Sequence, residues 1–198
     1  MTNFALVDFS NINPRAESEA DVRDSFERIQ DICFEVSQQC SINQLNVEDI
    51  PEFDVLLYDG WINKSGAKTP KTLLVGKLLD ELRGTSRGIR IRPTLVTTLR
   101  FLPQTILNGT YRRDNNGKPS QKMVDQMLVH DLHQIVIEED DCNAIVISND
   151  EDFVPGLVFA SVDRECVYWV TSRDSVCNDL LLGSTKLKIL RVQEWRNN

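Results

Sequence analysis

The chain has only two histidines and five cysteines, and it arranges neither type as a metal-binding motif. Cys33, Cys40, Cys142, Cys166 and Cys177 form no CxxC pair and no zinc-ribbon spacing, and their odd number argues against a disulfide framework. They read as reduced, mostly buried thiols. His130 and His133 stand i, i+3 on an expected helix with no partner Cys or His in an interpretable motif, which favours a structural role over a transition-metal pair. A glycine loop for phosphates is missing as well, since neither G-x-x-x-x-G-K-[ST] nor G-x-G-x-x-G occurs. No apolar stretch approaches the roughly 20 residues of a membrane span. The N-terminus enters a strand at once, without a charged leader or a cleavable apolar segment. The expectation is therefore a cytoplasmic protein with no membrane partner. Internal repeats and low-complexity tracts are also absent.

What the chain does have is acid. With 198 residues and 41% hydrophobic content it is long enough for one α/β domain with a sizeable core. The net charge of −8 would exclude a nucleic-acid partner if it were spread evenly, but it is not. From Arg83 to Lys122 there are nine Lys or Arg residues against one acid, Asp114, whereas the remainder carries 13 basic and 29 acidic side chains. An acidic body thus bears one basic segment, and phosphate binding needs only that segment.

Strand and helix signals alternate from end to end. A first strand is expected at 4–8. A long amphipathic helix follows from Ser18 to Cys40, with Val22, Phe26, Ile29, Cys33, Val36 and Cys40 at steps of three and four. "FDVLLYDG" at 53–60 is a second strand ending in Asp59-Gly60, and a helix from Lys71 to Leu82 precedes the Gly84 and Gly88 breakers. Residues 89–101 are β-rich but interrupted by Pro93, so part of that stretch is expected at a sheet edge. "NGTYRRDNNGKPS" at 108–120 is a basic hairpin tip or loop. A helix from about Gln121 to Val136, strands at 143–148, 166–171 and 187–192, and helices opening near Asp150 and around Ser175–Leu182 complete the pattern. The rhythm predicts a mostly parallel sheet flanked by helices.

Acids fall where three segments can deliver them to one point: "ALVDFSNI" at 5–12, "KMVDQMLVHDL" at 122–132 and "AIVISNDEDF" at 144–153. The first and third are apolar runs of strand length that end in acid at their carboxyl side, where ligands bind in open α/β sheets. Asp8, Asp150 and Asp152 would then share a crevice. Carboxylates crowded without basic partners oppose one another's ionisation, and a hard cation is the usual remedy. The pattern points to oxygen-ligated magnesium or manganese.

"VDFSN" is similar to the D-x-x-N opening strand of the NYN nucleases, relatives of the PIN domain. "QKMVDQMLVHDL" resembles their K-x-x-D helix and "VISNDEDFVPGL" their S-x-D-x-D-F strand-to-helix turn. The three fall in family order from residue 5 to about 157, with Asp59 also fitting. The resemblance implies a PIN-like three-layer sandwich, with residues 1–198 as a single domain and 83–120 as a basic insertion or hairpin. It implies metal-dependent hydrolysis of RNA by an endoribonuclease. Asp8, Asp125 and Asp150 would bind Mg2+ or Mn2+, Asp152 would lie close by, and Asn11 would support the site by orienting a coordinated water. "SRDSVCNDLL" at 172–181 matches the family's C-terminal pattern only loosely, leaving a role for Asp179 open.

Ser148 and Asn149, at the mouth of a helix, would present hydroxyl and N–H groups to a phosphate, and Arg112, Arg113, Lys118 and Lys122 would grip the RNA. Asp131, inside an apolar stripe with Val124, Leu128 and Ile135, needs a partner or the metal and is expected just behind the ligands. Trp61, Trp169 and Trp195 read as packing residues. An RNA-binding or scaffolding domain of the same fold without turnover is the competing reading, and the sequence leaves open whether the chain forms a homodimer.

Overall fold

The computed structural model describes residues 1–14, 16–40, 50–86, 88–100, 102–106, 108–173 and 186–192. The helix expected around 175–182, together with Arg87, Cys177, Asp179 and Trp195, lies outside the described residues. The first apolar run, Thr2–Asp8 (β1), is buried throughout after Thr2 and becomes the centre of a seven-stranded sheet. A single helical turn, Phe9–Ile12 (α1), follows it directly. Next comes the helix Glu19–Gln39 (α2), whose start is fixed by a reciprocal capping box: Ser18 Oγ accepts from Asp21 N (3.2 Å) and the Asp21 carboxylate accepts from Ser18 N (2.9 Å). The apolar stripe buries Val22, Phe26, Ile29, Cys33 and Val36 as its spacing predicts, while Cys40 is the half-buried C-cap.

The chain continues through Glu52–Tyr58 (β2), Pro70–Leu82 (α3), Gly84–Ser86 (β3), Ile89–Leu95 (β4), Thr98–Leu99 (β5) and Leu102–Ile106 (β6). A hairpin of Tyr111–Arg113 (β7) and Pro119–Gln121 (β8) leads into Val124–Glu138 (α4) and Cys142–Ile147 (β9). A 3-10 turn, Glu151–Phe153, runs into Val154–Ala160 (α5), and Val167–Thr171 (β10) and Lys188–Arg191 (β11) follow. Sheet order is β11-β10-β9-β1-β2-β4-β3, parallel throughout except for β3. Pro93 lies inside β4, opposite Val55. Short β3 pairs only Ile89 to Ile91, so from Pro93 onward β4 is a sheet edge where a missing N–H costs no ladder bond.

Side chains alternate between the two faces of the sheet and build two cores. Ala5, Val7, Val55, Leu57, Ile145 and Ile147 pack under α2 and α3 with Phe26, Ile29, Val75 and Leu78. Phe4, Leu6, Ala144, Val146 and Trp169 pack under α4 and α5 with Leu128, Leu132, Ile135 and Leu157. The result is a helix–sheet–helix sandwich. Among the described residues, no helix is long and apolar enough to cross a membrane.

Strand order positions the site. From β1 the chain moves outward to β2 and β4, then returns to lay β9 against the opposite edge of β1. At such a reversal the connections leaving neighbouring carboxyl ends diverge and open a crevice. Asp8 ends β1 there, and Ser148, Asn149 and Asp150 follow β9. The basic hairpin is tied to the same end of the sheet. Tyr111 N donates to Ile62 O (2.9 Å) and Lys122 N to Thr110 O (2.9 Å). Its approach explains Gly60: a Cβ at that position would lie 3.2 Å from Tyr111 Cβ and 3.3 Å from the Thr110 carbonyl.

Candidate active site

Asp8 is 3% exposed, and its carboxylate is held entirely by neutral donors. Ser10 Oγ donates to Oδ1 (2.9 Å), and Ser148 Oγ (3.2 Å) and the Asn11 amide donate to Oδ2. Ser10 and Asn11 are delivered by α1, the turn that follows β1 without a linker. Burial pushes the Asp8 carboxyl up to about 6, against the hydrogen bonds from Ser10 and Asn11, and the charges of Asp59 and Asp125 add to the rise. Asn11 thus holds the carboxylate directly.

Asp125, in the first turn of α4, is solvent-accessible. Partial desolvation raises its pKa first, and the charges of Asp150 and Asp152 raise it further. Asp8, Asp59, Asp125, Asp150 and Asp152 thus form a chain of acids that sense one another across β1, β2, α4 and the turn after β9. Among the described residues, no Lys or Arg forms an ion pair with Asp8, Asp125, Asp150 or Asp152. Nor, among the described residues, do three acidic, His or Cys side chains close into a ready ligand cluster.

Asp150 opens the turn after β9. Its Oδ1 caps the 3-10 turn by accepting from Asp152 N (3.0 Å), which leaves Oδ2 outside the cap. Asp152 contributes its N–H to this cap, and its own side chain is exposed. Ser148 and Asn149 lie buried at the end of β9. The fully buried Ser148 hydroxyl donates to Asp8 and accepts from Asp150 N (3.0 Å), stitching β1 to the turn after β9. The Asn149 side-chain oxygen accepts from Thr171 Oγ1 and Ser172 N (both 2.9 Å), and its amide donates to Ser172 Oγ (2.9 Å). Both side chains hold strand ends together. Arg173, which the sequence did not single out, donates to the Asn149 carbonyl (3.3 Å).

Asp131 has the partners that a buried acid needs. It is fully buried, and it accepts from Tyr58 Oη (2.9 Å) and Arg100 N (3.0 Å), with His130 Nδ1 at 3.4 Å. These partners make it a clamp between α4, β2 and the residue after β5. His133 ties α4 to α5 through Gly156 O (3.0 Å) and the Phe159 ring (5.1 Å between centroids), a structural role. Trp61 and Trp169 are packed in the cores, each donating its indole N–H to a backbone carbonyl, that of Leu57 or Ser148.

Two neighbours of Asp59 escaped the sequence. Lys71 Nζ lies 2.5 Å from Asp59 Oδ2, which makes no angularly good hydrogen bond and relies on this ion pair. Gln121, at the end of the hairpin, donates to Asp59 Oδ1. Within the basic segment, Arg92 is paired with Asp54 and Glu52, and Arg100 with Glu139. Arg112 is half-buried and bonds Gly109 O (2.9 Å). Arg113, Lys118 and Lys122 are exposed on or beside the hairpin.

Comparison with protein-family models, curated proteins and solved structures finds no match to this chain.

Proposed function

We propose that this chain is a metal-dependent endoribonuclease of the NYN type, with a PIN-like arrangement of its three layers. On this reading it hydrolyses RNA phosphodiester bonds in the cytoplasm, with Mg2+ or Mn2+ held by Asp8, Asp125 and Asp150 and with Asp152 beside them. The observation that carries the proposal is uncompensated acid at the switch point. A buried carboxylate pushed up to about 6 meets further acids of like charge, with only neutral donors on its own oxygens. A hard divalent cation fits this donor set, because it supplies the missing positive charge and prefers carboxylate oxygen. When bound, such an ion makes a water acidic enough to attack and absorbs charge on the leaving oxygen.

The chain's own residues prepare that chemistry. Ser10, Asn11 and Ser148 fix the Asp8 carboxylate in one orientation, so it need not be ordered when ligands arrive. The capping bond on Asp150 Oδ1 leaves its other oxygen outside the cap. Arg113, Lys118 and Lys122 place positive charge on the hairpin beside an otherwise acidic body, which favours approach of a polyanion.

A direct test is cleavage of mixed-sequence RNA by the purified protein with Mg2+, with Mn2+ and with EDTA. Cleavage should require a divalent ion. Asp150→Asn, whose amide oxygen caps the turn equally well, should remain folded and lose at least about 100-fold in rate. Cleavage that survives EDTA or Asp150→Asn overturns the proposal, and RNA binding without cleavage selects the binding-only reading.

A further inference from the structure

An open pocket of about 730 Å³ adjoins the acids, between the segment after α1, the start of α3 and the β7–β8 hairpin. Its walls are of two kinds. Pro14, Ala16, Leu74 and Tyr111 give it apolar and aromatic residues, whereas Ser10, Glu17, Asp59, Lys71 and Gln121 bring polar groups together. Apolar walls with a few convergent polar groups define a small-molecule site, and the volume falls in the range of such sites. A flat heteroaromatic base presents the matching surface: apolar faces and a rim of donors and acceptors. Two wall residues also connect the pocket to the acids, since Ser10 bonds Asp8 (2.9 Å) and Asp59 acts electrostatically on Asp8.

We infer that this pocket receives the base of an RNA nucleoside next to the phosphodiester held at Asp8, with Tyr111 as its stacking face and the Asp59–Lys71–Gln121 group reading its edge. The inference rests on the nuclease reading for the placement of the phosphate. A base walled in this way must leave its helical stack and its pairing partner, so the pocket selects unpaired nucleotides.

The test reads binding without turnover. A fluorescently labelled mixed-sequence RNA hexanucleotide, the same sequence as a duplex, and the four nucleoside 5′-monophosphates are titrated into the EDTA-treated full chain. Parent, Tyr111→Phe, Tyr111→Leu and Lys71→Met proteins are compared, with folding checked by circular dichroism. Taking ratios to the parent cancels the repulsion from the acids for the Tyr111 variants, whereas Lys71→Met also frees Asp59 from its ion pair, so its effect counts only where single-strand affinity falls more than duplex affinity. Single-strand affinity should be kept in Tyr111→Phe and fall about tenfold in Tyr111→Leu, the scale of one base–aromatic stack. Duplex affinity should change little in either variant, and Lys71→Met should also weaken the single strand. Equal single-strand binding by parent, Tyr111→Leu and Lys71→Met overturns the inference. Mononucleotides that bind as tightly as the hexanucleotide overturn its RNA part and assign the pocket to a free nucleotide. Because no step depends on cleavage, an inactive protein refutes the nuclease reading and leaves these outcomes decisive for the pocket.

Discussion

Asp8→Asn separates the cost of the buried charge from its use. In the folded protein the Asp8 carboxyl is pushed up from 3.8 to about 6, chiefly by burial. The native state therefore holds this proton more tightly than the unfolded chain does. Below about pH 4 both states are protonated and the charge costs nothing. Between about pH 4 and 6 the unfolded chain ionises while the folded state keeps the proton, so stability falls by about 3 kcal/mol at most, from 1.36 kcal/mol per pKa unit, and levels off once the folded carboxyl ionises as well. Asparagine removes this penalty and keeps the local bonds. Its carbonyl can accept from Asn11 and Ser148, and its amide can donate to the Ser10 hydroxyl, which is free to rotate. In metal-free buffer at pH 7.5 the variant should therefore melt several degrees above the parent, at roughly 2–4 °C per kcal/mol for a chain of this size. The gap should close as pH is lowered towards 4, and Mg2+ should raise the melting temperature of the parent only. Thermal unfolding of both proteins across that pH range is the assay. A variant less stable than the parent at pH 7.5 would refute the reasoning, because it would mean that ionised Asp8 is already compensated by the protein.

Two further outcomes test the roles assigned to the hairpin and to Asp131. Neutralising Arg113, Lys118 and Lys122 to Gln should flatten the log–log salt dependence of single-stranded RNA binding by about 0.7 for every phosphate no longer neutralised, measured by anisotropy at several salt concentrations; an unchanged slope assigns the hairpin to another task. Asp131→Ala strips the acceptor from Tyr58 Oη and Arg100 N and should cost about 1–3 kcal/mol per buried group left unpaired, read by urea denaturation, whereas cleavage per folded molecule should match the parent.

Much of the architecture was legible because it is written in local periodicity. The α2 stripe, the acid-terminated runs of β1 and β9 and the turn residues of the hairpin each carry their signal within a few positions. Asp8 and Asp150 could be named for the same reason, since an acid at the carboxyl end of a buried parallel strand points at a crevice. Partnership across the fold was not legible. Ser148 and Asn149 stand at a helix mouth, and nothing near them in sequence shows that Asp8 from β1 and Thr171 and Ser172 from the end of β10 take up their side-chain hydrogen bonds. Asp131 looked like support for a metal because nothing near it in sequence pairs with a buried acid; its partner Tyr58 comes from β2. Lys71 and Gln121 meet at Asp59 from two separate elements, and no spacing rule connects them.

The central claim is that the acids around Asp8 hold a divalent cation. The most direct measurement is diffraction from crystals soaked in Mn2+, with data collected at the manganese absorption edge. The account predicts an anomalous peak within about 2.0–2.6 Å of oxygens from Asp8 and Asp150, with Asp125 drawn towards it, and no such peak in Asp8→Asn crystals. Manganese bound elsewhere with none between Asp8 and Asp150, or a peak that persists unchanged in Asp8→Asn, would contradict it.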